Sequence, residues 1–154
     1  MTAYLLDTNV VLRLVDRSDP VHVQCRQAVE HLILRGDNPC LAPQVLIEFW
    51  VAATRPQGDN GFGWTPDLAQ AHVTHLRELF PLLPDRPEVF DRWLQLVTEH
   101  AVLGKQVHDV RLAAFMQVHG VPAVLTLDPR PFRRVGVTVI QPGELGPGAA
   151  PSLS

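Results

Sequence analysis

Two short apolar runs, each stopped by an aspartate, constrain the fold of this chain more than any other feature. Ala3-Tyr4-Leu5-Leu6 leads into Asp7 near the start, and Val121 to Leu127 leads into Asp128-Pro129 near the end. Strands without polar alternation are buried on both faces, as in a parallel sheet covered by helices. A carboxylate at the carboxyl end of such a strand stands where open α/β sheets place their ligands. Each aspartate also has a plainer reading. Asp7 or Thr8 can cap the helix that follows, and Asp128 can be a turn residue before proline. One acid at one strand end leaves the choice open; several arriving at the same edge favour a site.

The chain between these runs supplies helices and two more strands. Asn9 to Val15 reads as a short apolar helix. Asp19-Pro20 reads as an N-cap and first helical position, followed by Cys25, Val29, Leu32 and Ile33 at helical spacing and a stop at Gly36-Asp37-Asn38. Cys40-Leu41-Ala42 is a second strand, and Pro43 opens a third helix. Arg55 to Trp64 is a glycine-rich aromatic loop, expected to be flexible and near a partner or substrate. Thr65-Pro66 opens a fourth helix, with Ala69, His72, Val73, Leu76 and Phe80 on one face. A fifth runs from about Pro87 to Glu99, with Trp93 and Val97 inward. A sixth follows Gly104-Lys105-Gln106-Val107-His108-Asp109, and Val137 to Ile140 is a last strand. The order is α/β with a mostly parallel sheet in one domain of residues 1–143. Residues 144–154, rich in Gly, Pro, Ala and Ser, read as a disordered tail.

Two further acids stand out. Glu48 interrupts Val45 to Ala53, a helix otherwise apolar on every side and so expected to be buried all round. A buried carboxylate needs a partner: an arginine such as Arg13 or Arg111, or a metal ion. Asp109 heads the stripe Leu112, Ala113 and Met116 of the sixth helix, where it is either an N-cap or a carboxylate facing the core edge. Asp7, Glu48, Asp109 and Asp128 together offer oxygen ligands without a Cys or His set. That chemistry suits Mg²⁺, with Mn²⁺ as a substitute. Such ions neutralise a phosphodiester and ready a water for in-line attack. His72 and His75 read as ordinary helix residues, and His108 lacks the further ligands a His-Asp phosphohydrolase needs.

The ordered set resembles the PIN domain. Leu6-Asp7-Thr8-Asn9, the lone Glu48, Val107-His108-Asp109 before a Leu-Ala-Ala helix, and Leu125-Thr126-Leu127-Asp128 carry the likeness. Phe49-Trp50, Arg55-Pro56, Asn60-Gly61 and Phe132-Arg133-Arg134 extend it over about residues 2–142. The likeness is greatest to VapC-type toxins of toxin–antitoxin pairs. The resemblance implies a three-layer fold and a Mg²⁺-dependent endoribonuclease acting on RNA. It also implies a homodimer and a cognate antitoxin that silences the enzyme. Where many relatives carry an Asp just before the phenylalanine, this chain has Pro131-Phe132, which leaves Asp128 as the fourth acid. Two alternatives for this chain keep the same fold: a housekeeping PIN-type RNA-processing nuclease, or a non-catalytic RNA- or partner-binding module.

Other classes fit less well. A phosphoreceiver domain wants an acidic pair after its first strand, and a haloacid-dehalogenase-like phosphatase wants Asp where Asn9 stands. A net charge of -3 argues against a broad, non-specific nucleic-acid binder. Lys105 is the only lysine among 13 basic residues, the rest being arginine, a side chain suited to phosphate recognition. With 46% hydrophobic and 19% charged residues the composition is that of a globular protein. No run reaches the ~20 apolar residues a membrane helix needs, so a cytoplasmic protein is expected. Cys25 and Cys40 read as reduced core residues.

Overall fold

The computed structural model describes residues 1–146. Its centre is a four-stranded parallel sheet in the order β2-β1-β3-β4, built from β1 (Ala3–Leu6), β2 (Asn38–Cys40), β3 (Ala123–Leu125) and β4 (Thr138–Ile140). The register pairs Leu5 with Cys40 on one side and with Val124 on the other, and Leu125 with Ile140. Parallel neighbours need crossover connections. Helices α1 (Thr8–Val15) and α2 (His22–Leu34) join β1 to β2. Helices α3 (Pro43–Thr54), α4 (Pro66–Leu79), α5 (Glu88–Glu99) and α6 (Gln106–His119) join β2 to β3, and α7 (Arg130–Arg133) joins β3 to β4. This is the α/β sheet flanked by helices that the apolar runs imply. Leu5, Leu6, Val124 and Leu125 are fully buried, as strands covered on both faces must be.

The topology points to one candidate edge. The first crossover leaves β1 in one direction to reach β2, and the second returns past it to place β3 on the opposite side. The order therefore reverses between β1 and β3. In open α/β sheets the ligand crevice lies outside the carboxyl ends of the strands at such a reversal. Asp7 follows β1, and Thr126 to Asp128 follow β3.

The edge strand β2 begins earlier than the apolar residues suggest. The Asn38 N–H donates to the Thr2 carbonyl at 2.9 Å, which turns the nitrogen of Pro39 away from β1. Proline is tolerated only on such an outer edge. Leu41 instead forms a parallel bridge with Leu82, its N–H donating to the Pro81 carbonyl while its carbonyl accepts from Leu83. The second helix starts later than Asp19-Pro20 implies, at His22. Asp19 Oδ1 accepts from the Val21 N–H at 2.8 Å and closes a turn ahead of the helix. Ile33, expected inward, is 52% exposed.

Two further expectations are corrected by packing. Helix α3 is buried on one side only: Val45, Leu46, Phe49 and Ala53 face the core while Ile47, Trp50 and Val51 are exposed. The loop after it is tied down along its length. Phe62, Gly63 and Trp64 donate to the carbonyls of Ala52, Arg55 and Ala53, and the Trp64 ring stacks on His72 at 4.4 Å. Gly61 is obligatory in this clasp, because a Cβ there would lie 1.9 Å from the Arg55 carbonyl oxygen. Pro142–Glu144 forms a 3-10 turn, and Gly146 approaches Gln27 of α2. The rest of the expected tail, residues 147–154, lies outside the described residues. Cys25 and Cys40 are free and buried.

Candidate active site

Asp7 is the centre of the site. It sits at the N-cap of α1 with extended backbone, and its Oδ1 accepts from the Thr8 N–H at 2.8 Å. The cap reading therefore holds, and it engages only one carboxylate oxygen. Its Oδ2 accepts from the Thr126 hydroxyl at 2.7 Å and, more weakly, from Asn9 Nδ2 at 3.4 Å. Asn9 also stitches the two strand ends together: its Nδ2 reaches Thr126 Oγ1 and its Oδ1 accepts from the Leu127 N–H. Asp7 and Thr126 are the two buried polar residues of the described chain.

Glu48 and Asp109 are brought beside Asp7 by α3 and α6. Glu48 Oε2 accepts from the Thr8 hydroxyl at 2.7 Å, and its Oε1 from Gln44 Nε2 at 2.8 Å. No arginine pairs with it among the described residues: Arg13 lies against Asp19, and Arg111 against Asp85. The ion-pair alternative for Glu48 therefore fails. Asp109 lies in the first turn of α6, but Lys105 holds the N-cap position, so Asp109 is not a cap.

The electrostatics follow from this crowding. Burial pushes the Asp7 carboxyl up to about 6, against the hydrogen bonds from Thr126 and Thr8, and the charges of Asp109 and Glu48 raise it further. Burial also raises Asp109, aided by the charges of Glu48 and Asp128. Asp128 is different. It stands beyond the end of β3, where Arg130 donates to both its oxygens at 3.0 and 3.4 Å and holds its carboxyl below the usual range. Its N–H donates to Thr126 Oγ1, which links it to Asp7 through one hydroxyl. Asp109 and Asp128 line one open cleft of about 340 Å³ together with Gln106, Arg130 and Arg134.

All four sequence-derived acids therefore gather at one sheet edge, three of them without a cationic partner among the described residues. Among the described residues, no three acidic, histidine or cysteine side chains close into a metal-holding cage. The donor set still fits a hard divalent ion. Mg²⁺ is commonly held by only one or two carboxylates, with waters and substrate phosphate completing its shell. A partly desolvated carboxylate pushed up by its like-charged neighbours is relieved by added positive charge.

The PIN domain family model matches residues 4–137, a span that contains all four acids. The chain belongs to the PIN domain family. No curated protein matches it in sequence. Among solved structures, the DNA-bound VapBC of Salmonella typhimurium is similar at 20% identity and a TM-score of 0.66, over 92% of this chain and 99% of that one. FitAcB of Neisseria gonorrhoeae is similar at 22% identity and a TM-score of 0.66, with the same 92% and 99% coverage. VapC20 of Mycobacterium tuberculosis, described as a sarcin-ricin loop cleaving toxin, is similar at 15% identity and a TM-score of 0.64, over 88% of this chain and 96% of that one. At these identities the likeness is one of fold.

One residue of this PIN domain edge escapes the sequence reading. Gln44, one turn before Glu48, sends its Nε2 to Glu48 Oε1 and to the His108 carbonyl, both at 2.8 Å. Its Oε1 accepts from Arg111 at 3.1 Å. Because a guanidinium only donates, Arg111 fixes which end of the amide faces Glu48. Gln44 thereby joins α3 to the first turn of α6 and sets Glu48 against Asp109. The available signal is its i, i+4 spacing to a lone acid.

Proposed function

We propose that this PIN domain is a Mg²⁺-dependent endoribonuclease and the toxin of a toxin–antitoxin pair. The observation that carries the reading is the buried Asp7 at the β1/β3 reversal, raised by desolvation and flanked by Glu48 and Asp109 without a cation. Asp7, Glu48 and Asp109 would hold the ion, with Asp128 directly or through water. A bound divalent ion supplies charge neutralisation at the phosphodiester and eases deprotonation of the attacking water. Thr8, Asn9 and Thr126 orient the carboxylates, and Gln44 keeps α3 and α6 in register. Arg130 and Arg134, at the cleft shared with Asp109 and Asp128, suit the backbone phosphates. Hydrolysis by water leaves 5′-phosphate and 3′-hydroxyl ends. No His pair stands among the residues lining the acid cleft to activate a 2′-hydroxyl.

The finer reading draws on the structural neighbours, one of which, from Klebsiella pneumoniae, is described as a toxin–antitoxin complex and another, VapC20, as a toxin. An antitoxin arginine paired with two carboxylate oxygens at this edge would neutralise them and block the metal. The exposed face of α3, with Ile47, Trp50 and Val51, accords with a homodimer. No helix of the described residues is long and apolar enough to cross a membrane, which is compatible with a cytoplasmic enzyme.

The test is incubation of purified protein with RNA in Mg²⁺, in Mn²⁺ and in EDTA, with end-group analysis of the products. Metal-dependent cuts carrying 5′-phosphates are expected. Metal-independent cutting, or 2′,3′-cyclic phosphate ends, refutes the chemistry. Expression without a partner should arrest growth and Asp109→Asn should relieve the arrest. Normal growth at verified expression would replace the toxin reading with a housekeeping RNA-processing nuclease.

A further inference from the structure

A hollow of about 350 Å³ opens between the start of α5 and the first turns of α6, lined by Arg86, Phe90, Trp93, Val107, His108 and Arg111 among others. It adjoins the carboxylate edge through two of these residues. His108 immediately precedes Asp109, and its carbonyl accepts one of the hydrogen bonds from Gln44. Arg111 donates to the other end of the same amide.

Its chemistry combines aromatic surface with positive charge. Phe90 is 61% exposed, and its ring centre lies 5.6 Å from that of Trp93. The Trp93 ring is pinned by a 2.8 Å hydrogen bond from Nε1 to the Val107 carbonyl, so the platform is preformed. The charged side chains lining the hollow are the guanidinium groups of Arg86 and Arg111, in a chain whose net charge is -3. An open aromatic face flanked by guanidinium groups is the arrangement that holds an unstacked base together with its phosphate. Arg111 is already paired with Asp85 and donates to Gln44, whereas Arg86 has no ion pair among the described residues; a phosphate complements it, and a second apolar surface alone would leave it unmatched.

We infer that this hollow is the subsite for an unpaired nucleotide neighbouring the scissile phosphate, its base against Phe90 and its phosphate toward Arg86. The inference rests on the nuclease reading and names its substrate class. The RNA must present a base outside a helix, in a single strand or loop, because a duplex keeps its bases stacked and paired.

The test is fluorescence anisotropy of a labelled single-stranded oligoribonucleotide in EDTA, so that binding is read without cleavage. Phe90→Ala should weaken binding about tenfold and Phe90→Tyr should restore it. Arg86→Ala should weaken binding and reduce the log–log salt slope by about 0.7. The same strand annealed to its complement should bind weakly to every variant. Unchanged affinity in Phe90→Ala, or no binding by the wild type, overturns the inference. Sedimentation of the same samples covers the competing occupant: if Phe90→Ala dissociates an oligomer and the resulting monomer still binds RNA normally, the face belongs to a second copy of the chain. Failure here and failure of the nuclease reading are distinct. A protein that cuts RNA but is indifferent to Phe90 loses only the subsite, and one that binds through Phe90 but never cuts with metal loses only the nuclease reading.

Discussion

Replacing Asp7 by asparagine should make the metal-free protein more stable at neutral pH while destroying its activity. The sign follows from linkage. The folded-state carboxyl titrates near pH 6 rather than at the ordinary 3.8. The folded protein therefore holds more protons than the unfolded chain between these values, and stability falls as pH rises through this window. Well below pH 3.8 the acid is neutral in both states and carries no penalty. Above about pH 6 the full penalty applies, about 3 kcal/mol for a shift of about two units. The substituted amide carries no charge at any pH. It keeps an oxygen for the Thr8 N–H, but its NH₂ group must face Thr126 and Asn9, where Oδ2 of Asp7 accepts in the wild type. That mismatch costs about 1 kcal/mol. The net expectation in EDTA is a gain of about 2 kcal/mol at pH 8, turning into a loss of about 0.5 kcal/mol at pH 4. For a domain of this size the gain is a melting temperature higher by roughly 4–8 °C. Calorimetric melts of both proteins from pH 4 to 8 measure it. With Mn²⁺ added, the wild type should gain stability by mass action and the variant should not. A difference between the two proteins that stays flat across this pH range, or a variant less stable throughout, would refute the reasoning.

Asp109→Asn should abolish metal-dependent RNA cleavage with the melting temperature little changed, whereas Asp128→Asn should reduce it less, because Arg130 already neutralises Asp128; parallel cleavage assays decide the order. Gln44→Leu removes three hydrogen bonds that join Glu48, the His108 carbonyl and Arg111, and should weaken Mn²⁺ binding about tenfold by isothermal titration, a loss of about 1.4 kcal/mol. Retained affinity in a folded Gln44→Leu protein would remove its positioning role. Gly61→Ala should cost more than about 2 kcal/mol in a denaturant melt, since the 1.9 Å approach to the Arg55 carbonyl cannot be relieved without opening the clasp.

The parts of this molecule that are legible in its sequence are those fixed by local pattern. The runs ending at Asp7 and Asp128 lack alternation because both faces of the sheet are covered. Their parallel pairing follows from the helices between them. Asp109 is readable because its spacing to Leu112, Ala113 and Met116 places it on the core side. The misjudged parts depend on what packs where. Helix α3 is apolar on all sides, yet one side meets water, and composition cannot tell a face covered by the chain's own core from a face left open. Asp19-Pro20 has the look of a helix start, but the Asx turn to Val21 uses the same residues one step earlier. The clasp at Gly61 is invisible until Trp64 is known to lie against His72. Gln44 looks like any polar helix residue until α6 brings a backbone carbonyl beside it.

The edges of the sheet have a consequence for assembly. On the outer side of β2, Pro39 offers no N–H, and the next residue facing outward, Leu41, is already bridged to Leu82. At the other margin, β4 is three residues long and is followed within two positions by Pro142. A visiting strand would find no run of free backbone groups on which to zip, so both margins resist the edge-to-edge growth that turns sheet proteins into aggregates. With strand addition disfavoured at both margins, side chains on helices and loops are left to make this chain's contacts. Selectivity in its complexes then resides in particular residues that substitution can change one at a time, rather than in a main-chain ladder indifferent to sequence.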